Sequence, residues 1–210
     1  MHNYPPFEMK DDEAKTAFIE DRRFANLVIS GPDGPEAAHV PMLLKRGANG
    51  GFVLESHVAA TNPVAKLAVG GTAALAIFNG ADSYVTPSLY VSKTIHGKVA
   101  PTWNYIAVHA RGRLEAFSEP DQLHAHLNDL TDLLEQGVEA PWAVSDAPES
   151  FVDAMVKAIT GLRLSVESFE GIRKLNQNQR QNDREGVIAG LSQSSNLSSQ
   201  LIAAEMSKDL

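Results

Sequence analysis

The alternation of apolar and polar residues predicts a series of closely spaced strands in this chain, followed by helices. The first three predicted strands are too close together for crossover helices, which favours an antiparallel meander. Leu162, Leu164 and Val166 alternate with polar residues and indicate one more strand near the C-terminus. The predicted strands are Phe24–Ser30, Ala37–Lys45, Gly51–Glu55, Ala73–Asn79, Tyr84–Thr86, Trp103–Phe117 and Thr160–Leu175.

Helices are predicted from caps and from apolar residues at helical spacing. Asn62 or Thr61 can cap a helix that has Pro63 at its first position. Four leucines, Leu123, Leu127, Leu130 and Leu134, define one apolar face of a helix that begins at Pro120. Further helices are predicted at about Asp12–Asp21 and Ala147–Ile159, and helical pieces at Gly186–Leu191 and Leu197–Met206, with a flexible QSSNLSSQ segment between the last two.

Six or more antiparallel strands with helices packed outside them imply a closed or split barrel. We therefore expect a mainly β protein, a six- or seven-stranded antiparallel Greek-key split barrel with flanking helices. The expected single domain covers residues 1–191, including a helical insert at about 120–159. Residues 192–210 are expected to form a polar tail that is flexible or helical. Gly112 interrupts a long strand, which predicts a bend or bulge there.

Composition and charge exclude several classes of protein. The 210 residues are 43% hydrophobic and 21% charged, enough to bury a core of normal size. The net charge is −8, and Glu115–Asp153 carries ten acidic residues without Lys or Arg, so direct DNA binding is expected to be absent or weak. There is no apolar run of membrane-spanning length, no signal-peptide pattern and no cysteine. A cytoplasmic protein without membrane contact is the expectation.

No motif of a known catalytic class is present, so catalytic residues cannot be named. The chain lacks HExxH, GxSxG, SxxK and phosphate-loop motifs, and a protein-ligated metal is not expected. The richest segment is Ser83–Tyr105, which combines aromatic rings, prolines and lysines without helical periodicity. Aromatic residues with polar groups need partners, which either a planar anionic ligand or an ordinary packed strand pair would supply.

Several polar residues could form an anion or ring site, although each also has an ordinary structural explanation. Thr61 and Asn62 supply donors at a helix start, but could simply cap it. Lys93 supplies a cation, but a surface lysine is usually solvated. Trp103 could stack on a heterocycle and Asn104 could bond its edge, although Trp103 could instead belong to the core. A second polar cluster follows the last strand: Lys174, Gln177 and Asn178.

Taken together, these segments resemble the PaiB family, which is described as FMN-binding negative transcriptional regulators with the FMN-binding split-barrel fold. The resemblance covers nearly the whole chain in order, and PTWNY together with K-L-x-Q-N is specific. The matching segments are YPPF at 4–7, AHVPMLL at 38–44, SHVAATNP at 56–63, YVTPSLYVSK at 84–93, HGKVAPTWNYIAVHARGRL at 96–114, PWAVSDAP at 141–148, FEGIRKLNQNQ at 169–179 and DREGVIAGL at 183–191.

The resemblance implies a homodimer that binds FMN in a cleft between subunits. For bound FMN we expect the phosphate against Thr61 and Asn62, with Lys93 as a supporting cation, because a dianion needs N–H donors and positive potential. We expect the ring along the strand from His39 to Leu43, near Trp103 and Asn104, because it needs an apolar bed with a few edge donors. Lys174, Gln177 and Asn178 would close the cleft from the other subunit. The complete set of implied cofactor-binding residues is His39, Pro41, Ser56, His57, Thr61, Asn62, Lys93, Trp103, Asn104, Lys174, Gln177 and Asn178.

Three positions depart from the family pattern. Ala60 and Gln179 stand where the family has Arg, and Leu89 stands where it has Trp. Because Arg is the better bidentate phosphate ligand, we expect weaker retention of FMN than in the family.

Three functions remain open at this point. The first is a flavin-dependent oxidoreductase or regulator of unknown substrate, and the second is a non-catalytic transcriptional regulator that acts through DNA or a partner. The third is a haem-binding or haem-degrading protein on the same barrel, with His57, His39 or His96 as the iron ligand.

Overall fold

The computed structural model describes Met1 and residues 4–209, and it contains a seven-stranded sheet. The strands lie in the order β2-β1-β5-β6-β7-β4-β3, and the registered pairs β1–β2, β1–β5, β3–β4 and β4–β7 are antiparallel. The strands are β1 Phe24–Gly31, β2 Gly34–Pro41, β3 Leu43–Arg46, β4 Phe52–Ala59, β5 Thr72–Val85, β6 Thr102–Phe117 and β7 Ile159–Lys174. The predicted antiparallel architecture is confirmed.

Seven α-helices occur in the described residues. The short helices α2 and α3 have five residues each, and α4 is the longest with 15. Their bounds are α1 Asp12–Arg22, α2 Pro63–Leu67, α3 Ser92–His96, α4 Pro120–Leu134, α5 Glu149–Val156, α6 Gln181–Ser192 and α7 Leu197–Ser207. None of these helices, within residues 1 and 4–209, has the length and apolar composition of a membrane span.

The structure corrects the predicted course of the chain in three places. The strand predicted at 37–45 is two strands, because the Met42 N–H turns away to the Arg23 carbonyl (2.8 Å), and β2 pairs with β1 whereas β3 pairs with β4. The strands predicted at 73–79 and 84–86 are one strand, β5. The 83–105 segment, which lacks helical periodicity, nevertheless contains α3, which ends at Gly97 in the left-handed conformation (φ 67°).

The chain forms two compact units. The barrel unit comprises Ile19–Phe78 and Ala110–Phe169. Within it the edge strand β2 also lies against β4, so this part of the sheet curls. Its side chains that are at most 1% exposed include Leu27, Ile29, Met42, Leu54, Phe78, Leu114, Leu162 and Leu164. A satellite core joins α4 and α5 through Phe117, Leu123, Val152 and Val156, whereas Leu134, predicted on the apolar face of α4, is 48% exposed.

The helical unit comprises Met1–Phe18, Asn79–His109 and Glu170–Leu210, although Leu210, the end of the predicted tail, lies outside the described residues. In this unit α6 and α7 contact each other and bury a core with residues of β5 and β6. The Asp183 carboxylate accepts hydrogen bonds from the backbone N–H and the hydroxyl of Ser92 (2.8 and 2.6 Å). This buried contact fixes the start of α3 and needs no functional explanation.

Gly112 lies at a close approach of two strands in the barrel unit. A Cβ atom placed there would be 1.9 Å from the Ser165 carbonyl oxygen, so no side chain fits without moving the backbone. The interruption that the sequence shows at this position is therefore explained by the proximity of β7.

We expect Gly112→Ala to lower the free energy of unfolding by about 3 kcal/mol, because overpacking against a backbone cannot relax as a side chain can. Urea denaturation followed by circular dichroism measures this change. Gly51→Ala is the matched control, since only the Asn49 side chain lies near its Cβ position. Equal stability of the two variants would show that the strands separate easily at residue 112.

Candidate functional site

A groove in the barrel unit brings together four of the predicted cofactor-binding residues. Its volume is about 630 Å³, within the range of small-molecule sites. His39, Pro41, His57 and Asn62 line it. The rest of the lining is small or apolar: Ala37, Ala38, Val40, Val58, Ala59, Met155, Ala158 and Ile159. The groove thus has an apolar bed with polar groups at a few points.

The strand pattern of β2 explains how His39 reaches the groove. Ala38 and Val40 are buried on one side of β2, so His39 between them is exposed. His39 lies opposite Asn26 of β1, and its Nδ1 is hydrogen-bonded to the Asn26 Oδ1. This contact orients the imidazole ring but leaves its Nε2 available.

Asn62 forms the N-cap of α2, as predicted. Its Oδ1 accepts a hydrogen bond from the Val64 N–H (2.9 Å), and Pro63 occupies the first helical position. Thr61 beside it is exposed. The capping role occupies the Asn62 oxygen, so only its amide NH₂ group could face a ligand.

His57 is half-buried and hydrogen-bonded to a second histidine that the sequence did not point to. Its Nδ1 lies 3.0 Å from the Nε2 of His126 on α4, and the two rings meet edge to face. His126 is only 1% exposed, and its Nδ1 is sealed from solvent without a hydrogen-bond partner. The two residues are 69 positions apart in the chain, so no local motif could reveal the pair.

Burial keeps both imidazoles neutral. It lowers the pKa of His57, and together with repulsion from His57 it lowers the pKa of His126 to about 4. Two carboxylates, Glu55 and Asp129, partly oppose this shift, whereas Lys45 adds to it. At neutral pH the pair therefore shares a hydrogen bond between uncharged rings.

A charged cluster adjoins the histidine pair in the same unit. Glu55, which is 7% exposed, accepts hydrogen bonds from Lys45 (2.7 Å) and Arg163 (2.8 Å), and Lys45 also contacts Asp129 of α4 (2.6 Å). Burial opposes ionisation of Glu55, but the two cations hold its pKa below the usual value. The positive and negative charges of the cluster balance, so it offers no free charge to a ligand. Its contacts link α4, β3, β4 and β7.

The other predicted residues of the barrel unit contribute less to the groove. Ser56, between Glu55 and His57, is fully buried and its Oγ has no hydrogen-bond partner. It is not part of the groove lining.

Six predicted residues lie in the helical unit. Asn104 is fully buried, and its amide contacts the Met206 sulfur (3.5 Å), so it has no exposed surface for a ligand. Trp103 is half-exposed, donates to Asp82 (2.8 Å) and lies beside Tyr84. Lys174 donates to the Thr102 hydroxyl and Lys93 to the Ser88 hydroxyl. The Gln177 side chain accepts from the Leu175 N–H and donates to the Arg173 carbonyl, and Asn178 is exposed.

Asn176 is a further polar residue of this unit that sequence reasoning did not single out. It is 2% exposed, has a positive φ of 60°, and donates to the Tyr90 hydroxyl (3.0 Å). Asn tolerates the left-handed conformation, but Asn176 stands at the unspecified position of K-L-x-Q-N, so the motif gave no signal for it.

Comparisons with known proteins identify the family. The sequence profile described as "Putative FMN-binding domain" matches residues 1–168, so the chain belongs to this family. An uncharacterized Aspergillus fumigatus protein is 33% identical over 82% of this chain and 84% of its own length. Bacillus subtilis protease synthase and sporulation protein PAI 2, the PaiB protein, is 25% identical over 97% of this chain and 95% of its own. The resemblance to PaiB is confirmed.

Solved structures of similar fold agree with this family assignment. The FAD and heme binding protein from Mycobacterium smegmatis superposes with a TM-score of 0.59 at 16% identity, covering 87% of this chain and 80% of that one. This likeness confirms the split-barrel fold, and the family supports FMN as the cofactor.

The groove fits the ring of FMN better than its phosphate. An apolar bed edged by His57, by the Asn62 amide donor and by the His39 Nε2, which is an acceptor while Nδ1–H donates to Asn26, suits the donor and acceptor atoms of a flat heterocycle. No Lys or Arg occurs among the groove residues, so a phosphate dianion meets no cation in the described lining.

We expect acidification to destabilise the protein through His126. Its pKa is about 4 in the folded chain and about 6.5 when unfolded, so the unfolded state binds more protons below pH 6.5. The stability present at higher pH is therefore lost as the pH falls toward 4. His126 should account for a decrease of about 2 kcal/mol in the free energy of unfolding between pH 7.5 and 5.

Urea denaturation at several pH values tests this expectation. The decrease should be about 2 kcal/mol smaller in His126→Gln. His124→Gln, on the same helix but without the contact to His57, should behave as the parent chain does. An identical pH dependence in all three proteins would mean that His126 is not kept neutral by the fold.

Proposed function

We propose that the groove between β2 and β4 binds the isoalloxazine ring of FMN. The observation that carries this proposal is the apolar bed edged by His57, in a chain that belongs to an FMN-binding family. Bound FMN would supply hydride and electron transfer. The protein itself would hold the ring and exclude water from it with apolar residues such as Val58 and Met155. It would also present hydrogen-bond donors to the edge of the ring.

The phosphate would be held near Thr61 and Asn62, as the family resemblance implies. The five-residue helix α2 supplies little help by itself, and Ala60 replaces the expected Arg. We infer that the ring provides most of the affinity and the phosphate little.

We further propose that the protein is a homodimer and that Lys93, Lys174, Gln177 and Asn178 complete the site from the partner. Exposed apolar side chains in the helical unit support an interface near 84–93: Tyr84, Val91, Ile95 and Trp103 are 44–66% exposed. Such a surface is costly to leave in water.

The role in the cell is proposed to be flavin-dependent, either as an oxidoreductase of unknown substrate or as a regulator. Regulation by direct DNA contact is disfavoured by the acidic stretch Glu115–Asp153. A regulatory role would therefore act through a protein partner. We propose a cytoplasmic location, with which a sequence without cysteine is compatible.

Haem binding in the same groove is the second candidate. His57 and His39 both line the groove, and the structural relative from Mycobacterium smegmatis carries FAD and heme binding in its name. The absorbance spectrum of the protein as purified separates the candidates, because haem gives a Soret band and flavin does not.

The ring assignment is tested by Met155→Glu, which places a carboxylate on the apolar bed. We expect FMN binding, measured by quenching of flavin fluorescence, to weaken about tenfold or more. Phe151→Glu is the control, because Phe151 lies one turn earlier on α5, is about as exposed as Met155 (57% and 49%) and does not line the groove. Riboflavin should bind the parent within about fivefold of FMN. Absence of any quenching by the parent would refute flavin binding, and equal effects of both variants would refute this location.

The dimer is tested by light scattering, which should give twice the chain mass of 22.6 kDa. Val91→Asp should shift the population toward monomer, because it puts a charge into the proposed interface. Val69→Asp, at an equally apolar exposed position of the barrel unit, should leave the dimer intact. A parent chain that is monomeric at all accessible concentrations would refute the proposal.

A further inference from the structure

The His57–His126 contact can exist in two protonation arrangements, and they present different groups to the groove. In the first, the His126 Nε2–H donates to the His57 Nδ1, and His57 carries its own proton on Nε2. In the second, the His57 Nδ1–H donates to the His126 Nε2, and the His57 Nε2 is a bare acceptor. Both rings are neutral in either case, so each ring carries one proton.

The buried end of the pair distinguishes the two arrangements. The Nδ1 of His126 is sealed from solvent and has no partner among the described residues. The first arrangement leaves an unprotonated nitrogen there, whereas the second leaves an N–H group without an acceptor. Buried orphan N–H groups are the rarer defect in folded proteins, so the first arrangement is favoured.

The groove end of the pair is accessible. His57 lines the groove. Its Nε2 is not buried and forms no hydrogen bond with another described residue. It is therefore the atom of this ring that can meet a ligand.

We propose that His126 is a positioning residue that fixes His57 as the Nε2–H tautomer, so that the groove presents a neutral N–H donor to an acceptor atom on the flavin ring edge. This proposal rests on the proposed flavin groove. It also means that His57 offers no lone pair to a haem iron unless the buried pair exchanges both protons.

The titratable and charged groups around the pair preserve this arrangement over the neutral range. Glu55, Asp129 and Lys45 act on His126 from β4, α4 and β3, and they bind one another rather than the imidazoles. Phe117 of β6 covers the His126 ring edge to face. No charged group in the described structure donates to or accepts from either ring of the pair.

The tautomer can be read directly in the flavin-free parent protein by long-range ¹H–¹⁵N NMR of its histidines. We expect the His57 resonances to show a protonated Nε2 and an unprotonated Nδ1. The opposite pattern, or a charged ring at pH 7, overturns the proposal whether or not any variant folds.

Three variants separate positioning from a merely structural role. His126→Leu removes the donor, so both His57 tautomers should appear and FMN should bind about three- to tenfold more weakly, the range for loss of one hydrogen bond. His126→Gln keeps an N–H donor and should restore a single tautomer and the parent affinity. His124→Gln should match the parent in both measurements. A His126→Gln variant that behaves like His126→Leu overturns the positioning role.

The outcome is distinguishable from failure of flavin binding. If the parent does not quench flavin fluorescence, the flavin proposal falls and the tautomer assignment is decided by NMR alone. If the parent binds FMN and His57 has the other tautomer, the inference falls and the flavin proposal stands.

Discussion

The antiparallel ladder between β4 and β7 is the constraint on which the candidate site depends. It pairs seven consecutive residues of β4, from Val53 opposite Ser165 to Ala59 opposite Ile159. Because side chains alternate along a strand, Glu55 and His57 project from the same face and Ser56 from the other. His57 contacts His126 of α4, Glu55 is linked to Asp129 of α4 through Lys45, and Ser56 is buried without a hydrogen-bond partner.

Helix α4 matches this face of β4 by its own periodicity. His126 and Asp129 are three residues apart, so they lie on one side of the helix. His126 contacts His57, and Asp129 reaches Glu55 through Lys45. One helix thus docks on one strand through a neutral pair beside an ionic cluster. The Glu55 contacts of the cluster are largely buried and would be severely destabilising to break, whereas the Lys45–Asp129 contact that reaches α4 is exposed and adds little. The position of the His57 ring against α4 therefore depends mainly on the buried His126.

Local patterns were sufficient to predict most elements of this fold. The Asn62 cap and the expected helix at Pro120 depend on residues that are neighbours in sequence, and both are present. The break at Met42 was missed because the acceptor of its N–H is Arg23, a residue on another element. The sequence suggests Asn104 as a ligand donor, but it does not reveal that α7 covers this side of the strand and that the Asn104 amide contacts Met206 there.

The histidines show the same limit within the site. His124 and His126 are two residues apart on α4, so their side chains point in different directions. That spacing does not reveal that His126 points inward, where it is 1% exposed, to a strand residue 69 positions away. Only tertiary packing turns an unremarkable helical histidine into the hydrogen-bond partner of a groove residue.

Electrostatics connects the groove to the choice of ligand. The acidic residues of 115–153 lie on β6, α4 and α5 and in the segments that join these three elements, and α5 also supplies Met155 to the groove. A negative surface of this kind repels a nucleic-acid backbone, and for the same reason it repels a phosphate dianion. With Ala60 in place of the expected Arg and no cation in the lining that one chain supplies, that chain's own electrostatic contribution to FMN affinity is small. Its contribution to affinity must therefore come from burial of the ring and from edge hydrogen bonds, so recognition within one chain depends on His57 and the apolar bed beneath it.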